Sequence, residues 1–436
     1  MTLELSESPA ASFNLRRITR HPLAMEYHRL YALVAIVNLV LAVLWWQDGS
    51  LLQSGVANLE LLANMALVNF SLGILIRQQR VVNLLFWLAT RIPTSWPLWI
   101  RWRAAKVFHF GGLHSGGNTA GSLWFSLLLA GMGFNRFQGQ SLPSDLTLGL
   151  TGVMLALIAL IVTCALPSMR ARYHNLFEKT HRFAGWTLLA LFWAQTLSLL
   201  HDQGQPVLQQ PSIWALTVIT LSVVSPWLTL KRVKIEVVKP SNHAVTARFD
   251  YGDTPFPGSS NAISHTPFGE YHAFANAPKP GESGYRLVIS RAGDWTGRFI
   301  DNPPSHVWVK GITTSGVARI EVLFKKVVYV GTGSGIGPIL PHLFAGEVPN
   351  RLIWSTRSPR KTYGALVDEV EASTENPLIW DTDLRGKPDL AALALQAVQE
   401  TGAEAVIVIA NQKVTRQVVY AMECQGIPAY GAIWDS

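Results

Sequence analysis

Hydrophobic and polar positions divide the chain into two regimes that meet near residue 231. Before that point, six long apolar runs occur at roughly 30–46, 58–76, 108–132, 146–167, 183–200 and 213–230. Each is close to the ~20 residues that a helix rising ~1.5 Å per residue needs to cross ~30 Å of hydrocarbon. The third is the least apolar and opens with HFGGLHSGGNTAGS; small and polar residues inside a span mark close helix packing or a buried site. A further apolar stretch, 83–100, holds Arg91, Pro93 and Pro97. It reads as a segment lying at a membrane interface rather than as a seventh crossing.

Beyond 231 the period shortens. VKIEVV, AVTARFDY, YRLVIS, HVWVKG and ARIEVLF are short alternating runs broken by Pro, Gly and Asn, the pattern of a small antiparallel barrel. From about 324, buried-strand runs (KVVYVG, LIWSTR, AVIVIA, AYGAIW) alternate with helical stretches at 385–400 and 413–424, which predicts a parallel α/β sheet. The expected domains are therefore an N-terminal tail over 1–25, a membrane all-α six-helix bundle over 26–231, an antiparallel β-barrel over 232–323 and an α/β nucleotide-binding domain over 324–436.

Composition and charge sharpen this picture. The 436 residues are 49% hydrophobic and only 15% charged, unusual for a soluble enzyme. The net charge of +8 does not point to nucleic acid, because the positives sit beside apolar spans. Arg77, Arg80, Arg91, Arg101, Arg103 and Lys106 lie between runs two and three; Arg170, Arg172, Lys179 and Arg182 lie between four and five; Lys231, Arg232 and Lys234 follow six. The other connecting loops hold one basic residue, Arg136. The positive-inside rule then makes an integral, multi-pass membrane protein with both termini cytoplasmic. The polar N-terminus reads as lacking a signal peptide, and two cysteines make no disulfide framework.

Four histidines and one glycine run carry the candidate chemistry. His109 and His114 open run three, while His174 and His181 precede run five. Seven residues bring His174 and His181 to one helical face ~10 Å apart, whereas His109 and His114 point about 140° from each other. Imidazoles from two facing helices can hold a haem iron; the plainer reading is helix-to-helix hydrogen bonding or contact with lipid head groups. In GTGSGIGP, after the strand KVVYV, Gly331, Gly333, Gly335 and Gly337, together with Thr332, form a strand-to-helix turn able to admit a pyrophosphate. Some twenty residues on, Arg357, with Arg360 and Lys361 close behind, favours a 2′-phosphate, hence NADPH over NADH; the plainer reading is a solvated basic loop. In the barrel, GEYHAFANAP and SRAGDWTGRF could cradle a flavin or be ordinary strand and turn residues, and Trp434 could stack on a flavin ring or close the core.

Together these pieces resemble the ferric reductase/NADPH oxidase superfamily of membrane flavocytochromes. The HFGGLHSG, THRFAGW and IPAYGAIWDS signatures look most like fungal integral membrane flavoproteins of the TmpA type, a module also found fused to adenylate-forming, peptide-synthetase-like proteins. The resemblance implies a ferredoxin-reductase-like unit behind a haem bundle. FAD would be bound by His272, Phe274, Asn276, Arg291, Trp295, Thr296 and Trp434, and NADPH by the glycine run with Arg357 and Arg360. One inner-side haem b would be held between runs three and five by one histidine from each pair, with His114 and His181 preferred over His109 and His174. Three departures stand out. The superfamily's outer histidines are absent, their places lying near Leu123, Leu128, Ala194 and Gln195. Its Cys-Gly-Pro motif is Ala410-Asn411-Gln412 here, and the outward loops carry no metal cluster.

The expected activity is electron transfer from NADPH through FAD to a single haem and on to a small molecule or metal ion of unspecified identity. Membrane lipid is the expected surrounding partner, nucleic acid is not expected, and an oligomer is compatible with the reading. The alternatives are a haem-free flavin-dependent reductase of a lipophilic substrate and a catalytically degenerate nucleotide-binding scaffold or sensor.

Overall fold

The computed structural model describes His21, residues 24–141 and residues 143–432. Its first half is helical: α1 (Glu26–Gln47), a hairpin of β1 (Leu52–Gln53) and β2 (Val56–Ala57), α2 (Leu59–Leu75), α3 (Gln79–Thr90), α4 (Leu98–Ala104), α5 (Gly111–Phe137), α6 (Asp145–Ala165), the short α7 (Pro167–Arg172), α8 (His174–Asp202) and α9 (Pro211–Leu228). All six apolar runs are helices. Among the described residues, α1, α6, α8 and α9 are long and apolar enough to cross a membrane; α2 joins them only as a pair with α3, bent by 70° at the break. The fifth helix begins nine residues before its apolar run, so His174 and His181 lie within it.

The chain forms two compact units. One is helical and comprises Arg29–Val81 and Phe110–Leu228; the other takes the residues up to His28, Val82–His109 and everything from Thr229. Residues 26–28 and 82–109, which lie inside the bundle expected over 26–231, group with the β-rich unit. In the helical unit, α2 and α5 pack backbone to backbone. A Cβ on Gly117 would lie 2.7 Å from the Asn69 carbonyl oxygen and 2.9 Å from the Gly73 nitrogen. That approach explains the small residues of the third run.

The β-rich unit holds a barrel and an α/β sheet. The barrel uses β3 (Lys231–Val238), β4 (Ala244–Phe249), β5 (Ser259–Ser264), β6 (His272–Ala275), β7 (Tyr285–Ser290), α10 (Asp294–Asp301), β8 (His306–Val309) and β9 (Thr314–Ser315). Its antiparallel order is β6-β5-β8-β3-β4-β7, with β9 on β5, and the paired bridge Ala277–Arg286 ties the two ends together. Inward residues of alternate register, among them Val245, Ala247, Phe249, Leu287 and Ile289, fill it with Trp295 and Phe299 from α10.

The second sheet follows with β10 (Val327–Thr332), α11 (Ile336–Ala345), β11 (Asn350–Thr356), α12 (Pro359–Tyr363), α13 (Leu366–Ser373), β12 (Leu378–Asp381), α14 (Thr382–Arg385), α15 (Leu390–Thr401), β13 (Ala405–Ile409), α16 (Gln412–Cys424) and β14 (Ala429–Gly431). Strand order β12-β11-β10-β13-β14 is all parallel. The order reverses direction between β10 and β13, the crevice where doubly wound sheets take ligands. Arg286 of β7 grips Glu369 of α13 with two bonds of 2.9 and 2.8 Å, fixing barrel to sheet.

Candidate functional site

The glycine run lies at this switch point. A Cβ on Gly335 would stand 2.0 Å from the Ile409 carbonyl at the end of β13, and one on Gly331 2.9 Å from Ile339. Gly333 has a φ of +51°, which glycine adopts without strain, and its carbonyl accepts from Trp354 Nε1 at 2.9 Å. The backbone is thus pressed into a cradle at the start of α11, after Thr332 closes β10. Gly337 faces the barrel, with a Cβ there 3.3 Å from Val288 of β7; the contact accounts for a glycine in this place.

Three hydroxyls that sequence reasoning missed converge beside the cradle. Tyr363 and Ser290 are buried, and neither hydroxyl has a hydrogen-bond partner of good geometry. Burial pushes the Tyr363 phenol up, while the facing Ser290 and Thr356 hydroxyls oppose the shift. Tyr363 lies 3.9 Å from where a Gly333 Cβ would be. Hydroxyls buried this close to one another, with no hydrogen bond of good geometry among them, could turn to a polar ligand. No sequence signal marks them, because they come from three separate elements.

The basic residues after β11 are placed differently from one another. Arg357 is 83% exposed and only 4.0 Å from Asp383. Arg360 is engaged by Asp368 and by Glu371 at 2.8 Å. Arg357 is therefore the more available of the two for a phosphate.

In the barrel the flavin candidates separate. His272 and Phe274 on β6 lie 4.6 and 5.9 Å, ring to ring, from Trp295, but Trp295 is itself core. Asn276 is fully buried, donating to Ser259 Oγ at 3.0 Å, and its own oxygen is unpartnered. Its amide nitrogen braces the barrel wall. Thr296 is likewise occupied: its Oγ1 accepts from the Ala292 and Gly293 nitrogens at 2.9 and 3.1 Å and donates to the Gly293 carbonyl at 3.1 Å. The Gly-Asp-Trp-Thr turn is a helix cap in its own right. Arg291 is tied to Asp301 and to the Asn242 carbonyl. Trp434 lies outside the described residues.

The four histidines also part company. His109 is buried in the 3-10 turn Ala105–Phe110 of the β-rich unit, its ring 4.3 Å from Phe108; it does not share a helix with His114. His174 is exposed at the first turn of α8. Within the helical unit, His114 on α5 and His181 on α8 face each other with ring centres 6.2 Å apart. His114 Nδ1 lies 2.6 Å from the Gly73 carbonyl, reachable because the glycines let α2 and α5 close up, and Asn118 sits one turn on. With Nδ1–H donating to that carbonyl, Nε2 is the free nitrogen, the orientation metal-ligating histidines commonly show. A metal between two imidazoles needs ring centres roughly 6 Å apart, from two bonds of about 2 Å plus the ring radii. Among the described residues, no group of three or more His, Cys, Asp or Glu side chains is placed to hold a metal ion.

Comparison with known proteins gives three findings. Residues 317–436 match a family described as the C-terminal domain of adenylate-forming reductase 03009. The chain is similar to adenylate-forming reductase 03009 of Coprinopsis cinerea, with 42% identity over 430 residues, 97% of this chain and 41% of that protein. It is also similar to adenylate-forming reductase 06235 of the same fungus, with 38% identity over 428 residues, 96% of this chain and 41% of that one. The chain therefore spans about 41% of the length of these curated relatives. Among solved structures, phthalate dioxygenase reductase aligns at a TM-score of 0.38 and 17% identity, covering 48% of this chain and 69% of that one. A ferredoxin NADP+ reductase from Neisseria gonorrhoeae, with bound FAD and NADP, aligns at 0.38 and 15%, covering 47% and 98%.

Proposed function

We propose that this chain is a membrane-embedded, NADPH-dependent flavoprotein reductase. The observation that carries the reading is the cradle at the switch point, where Gly335 meets the Ile409 carbonyl and the unpartnered Ser290 and Tyr363 hydroxyls face the turn. The backbone N–H groups at the start of α11 would hold a pyrophosphate, and Arg357 the 2′-phosphate. Barrel residues His272 and Phe274 would line the flavin, with Arg291 and Thr296 shaping the turn beside it. Bound FAD supplies exchange between two-electron hydride chemistry and single-electron steps. The protein's part is to hold the nicotinamide over it and keep water out. The name reductase, borne by both relatives, supports this activity. The exposed apolar surface of α1, including Leu39 and Val40, and the basic loops support a membrane setting with both termini cytoplasmic and a lipophilic acceptor.

The His114–His181 pair favours a second reading in which the helical unit also holds one haem b. Those two residues would ligate it, and the Gly73 carbonyl would fix the tautomer of His114. Haem, when bound, supplies a one-electron couple. The test is an optical spectrum of the purified, haem-supplemented protein before and after NADPH, beside His181→Ala and His174→Ala variants. Flavin bleaching by NADPH is expected in all three proteins, and its absence overturns the reductase reading. A Soret band lost only in His181→Ala would establish the haem; its absence from the parent protein leaves the haem-free reductase.

A further inference from the structure

The segment 82–104 has two apolar faces and only one of them is covered. On α3, Val82 and Phe86 are buried in the β-rich unit, and Asn83 clamps the edge strand β9 by donating to the Thr313 carbonyl and accepting from the Ser315 nitrogen, both at 2.8 Å. Leu84, Trp87, Leu88 and Arg91 follow one another at i, i+3, i+4 and i+7 on the opposite side, with the three apolar ones more than half exposed. Trp96 and Trp99, at the turn into α4 and in its first turn, are exposed as well, Trp99 at 68%. The Arg91 guanidinium lies over the Trp87 ring at 4.8 Å.

Five large exposed apolar side chains within sixteen residues, three of them on one face of α3, mark an interaction surface. Its composition narrows the partner. Tryptophan beside arginine is the signature of the polar–apolar boundary of a bilayer. Residues 79–104 hold Arg80, Arg91, Arg101 and Arg103 and no Asp or Glu, so the segment suits anionic head groups and offers a protein partner no acidic rim. Arg101 is turned away, into an ion pair with Glu404, which leaves the outward face to the aromatic and aliphatic groups. We infer that α3 and α4 form a lipid-docking face, by which the β-rich unit itself rests in the boundary of an anionic leaflet. The segment would then act as a float: one face clamped to β9 through Asn83, the other immersed to the depth of Trp87 and Trp99.

The inference is tested by nitroxide labels on single cysteines in the full chain, with Cys164 and Cys424 replaced by serine. The protein is reconstituted in phosphatidylcholine vesicles containing phosphatidylserine. Labels at Leu88→Cys and Trp99→Cys should collide with oxygen more often than with an aqueous nickel chelate, as should a label at Leu39→Cys on α1. A label at Leu384→Cys, on the exposed α14, should favour the chelate. Chelate-dominated collisions at 88 and 99 with oxygen-dominated collisions at 39 would overturn the docking face and leave the membrane reading intact. Shielding of 88 and 99 from both reagents would also overturn it, because protein then covers the patch. An aqueous label at 39 would bring down the membrane reading, and this inference with it.

Discussion

Replacing Arg101 by methionine should destabilise the β-rich unit far more than any other single arginine change in the 82–109 segment. Arg101 is 4% exposed and uses its whole fork: Nε donates to the Trp96 carbonyl at 2.8 Å, Nη1 to the Leu323 carbonyl at 2.9 Å and to Glu404 at 2.7 Å, and Nη2 to the other Glu404 oxygen at 3.2 Å. Breaking a buried ion pair from one side costs about 3–5 kcal/mol, because the remaining charge is left without a partner. Glu404 is 20% exposed and keeps a bond from the Lys325 nitrogen at 2.8 Å, so the low end applies. A loss of about 3 kcal/mol lowers the Tm of a unit this size by roughly 6–12 °C. Arg103, 56% exposed and 3.5 Å from Glu26, is the control; Arg103→Met should cost at most about 1 kcal/mol. The assay is thermal unfolding of the detergent-purified chain, with a double-mutant cycle through Glu404→Gln expected to show coupling of more than ~1 kcal/mol. Acid should erase the difference. Burial would raise the Glu404 carboxyl, but bonds from Arg101 and Lys325 outweigh it and hold it below its ordinary 4.5. A depressed carboxyl contributes stability above its unfolded pKa and loses it as pH falls through the folded one. The gap between parent and variant should therefore be full at pH 7 and close well below pH 4.5. Equal losses from Arg101→Met and Arg103→Met, or additivity in the cycle, would refute the reasoning.

Three more outcomes follow from the nucleotide crevice and the bundle. Gly335→Ala drives a methyl to 2.0 Å from the Ile409 carbonyl and should lower kcat/KM for NADPH at least tenfold, about 1.4 kcal/mol, read by steady-state oxidation with a dye acceptor. Arg357→Ala should raise KM for NADPH about tenfold through loss of a charge-assisted bond and leave that for NADH unchanged. Arg360→Ala should do less, since Asp368 and Glu371 already hold that guanidinium. In sealed vesicles with NADPH supplied outside, an impermeant acceptor outside should be reduced and the same acceptor trapped inside should not. Equal reduction of the trapped acceptor would show a conducting path across the bundle.

Local pattern carried the elements, and distant pairing carried the site. The apolar runs from 146–167 and 213–230 became α6 and α9 nearly residue for residue, because length and apolarity alone dictate such helices. The i, i+7 spacing of His174 and His181 was legible. That His114 faces His181 while His174 stays exposed depends on the close approach of α2 and α5 at Gly73, 41 residues from His114. Arg91, Pro93 and Pro97 told against a crossing at 83–100, yet nothing local announces that Arg101 will meet Glu404, 303 positions on. Asn276 and Thr296 stand where a flavin motif would place polar groups. The chain spends both on its own wall and turn, since a polar side chain looks the same in sequence whether its partner is a ligand or the backbone. Ser290, Thr356 and Tyr363 went unseen for the converse reason: common residues become a site only when three elements converge.

The end of the helical unit remote from His114 bears on the second proposed reading, in which His114 and His181 hold a haem. Leu128 lies fourteen residues beyond His114 on α5, ~21 Å along the axis, and takes the place of a second histidine. It is buried with Phe125, Met132 and Met154. The rings of Phe70, Phe125 and Phe192 meet there at 5.4, 5.6 and 6.3 Å. Gln195, at the corresponding position on α8, is buried and reaches Thr151 at 3.5 Å. Buried apolar side chains and Gln195 thus occupy these positions, and among them there is no imidazole to ligate a second haem. Phenylalanine, leucine and methionine side chains offer no accessible one-electron couple to bridge the gap. In the second proposed reading, a haem held by His114 and His181 would therefore have no second haem beyond it, and an acceptor would have to meet it at that end.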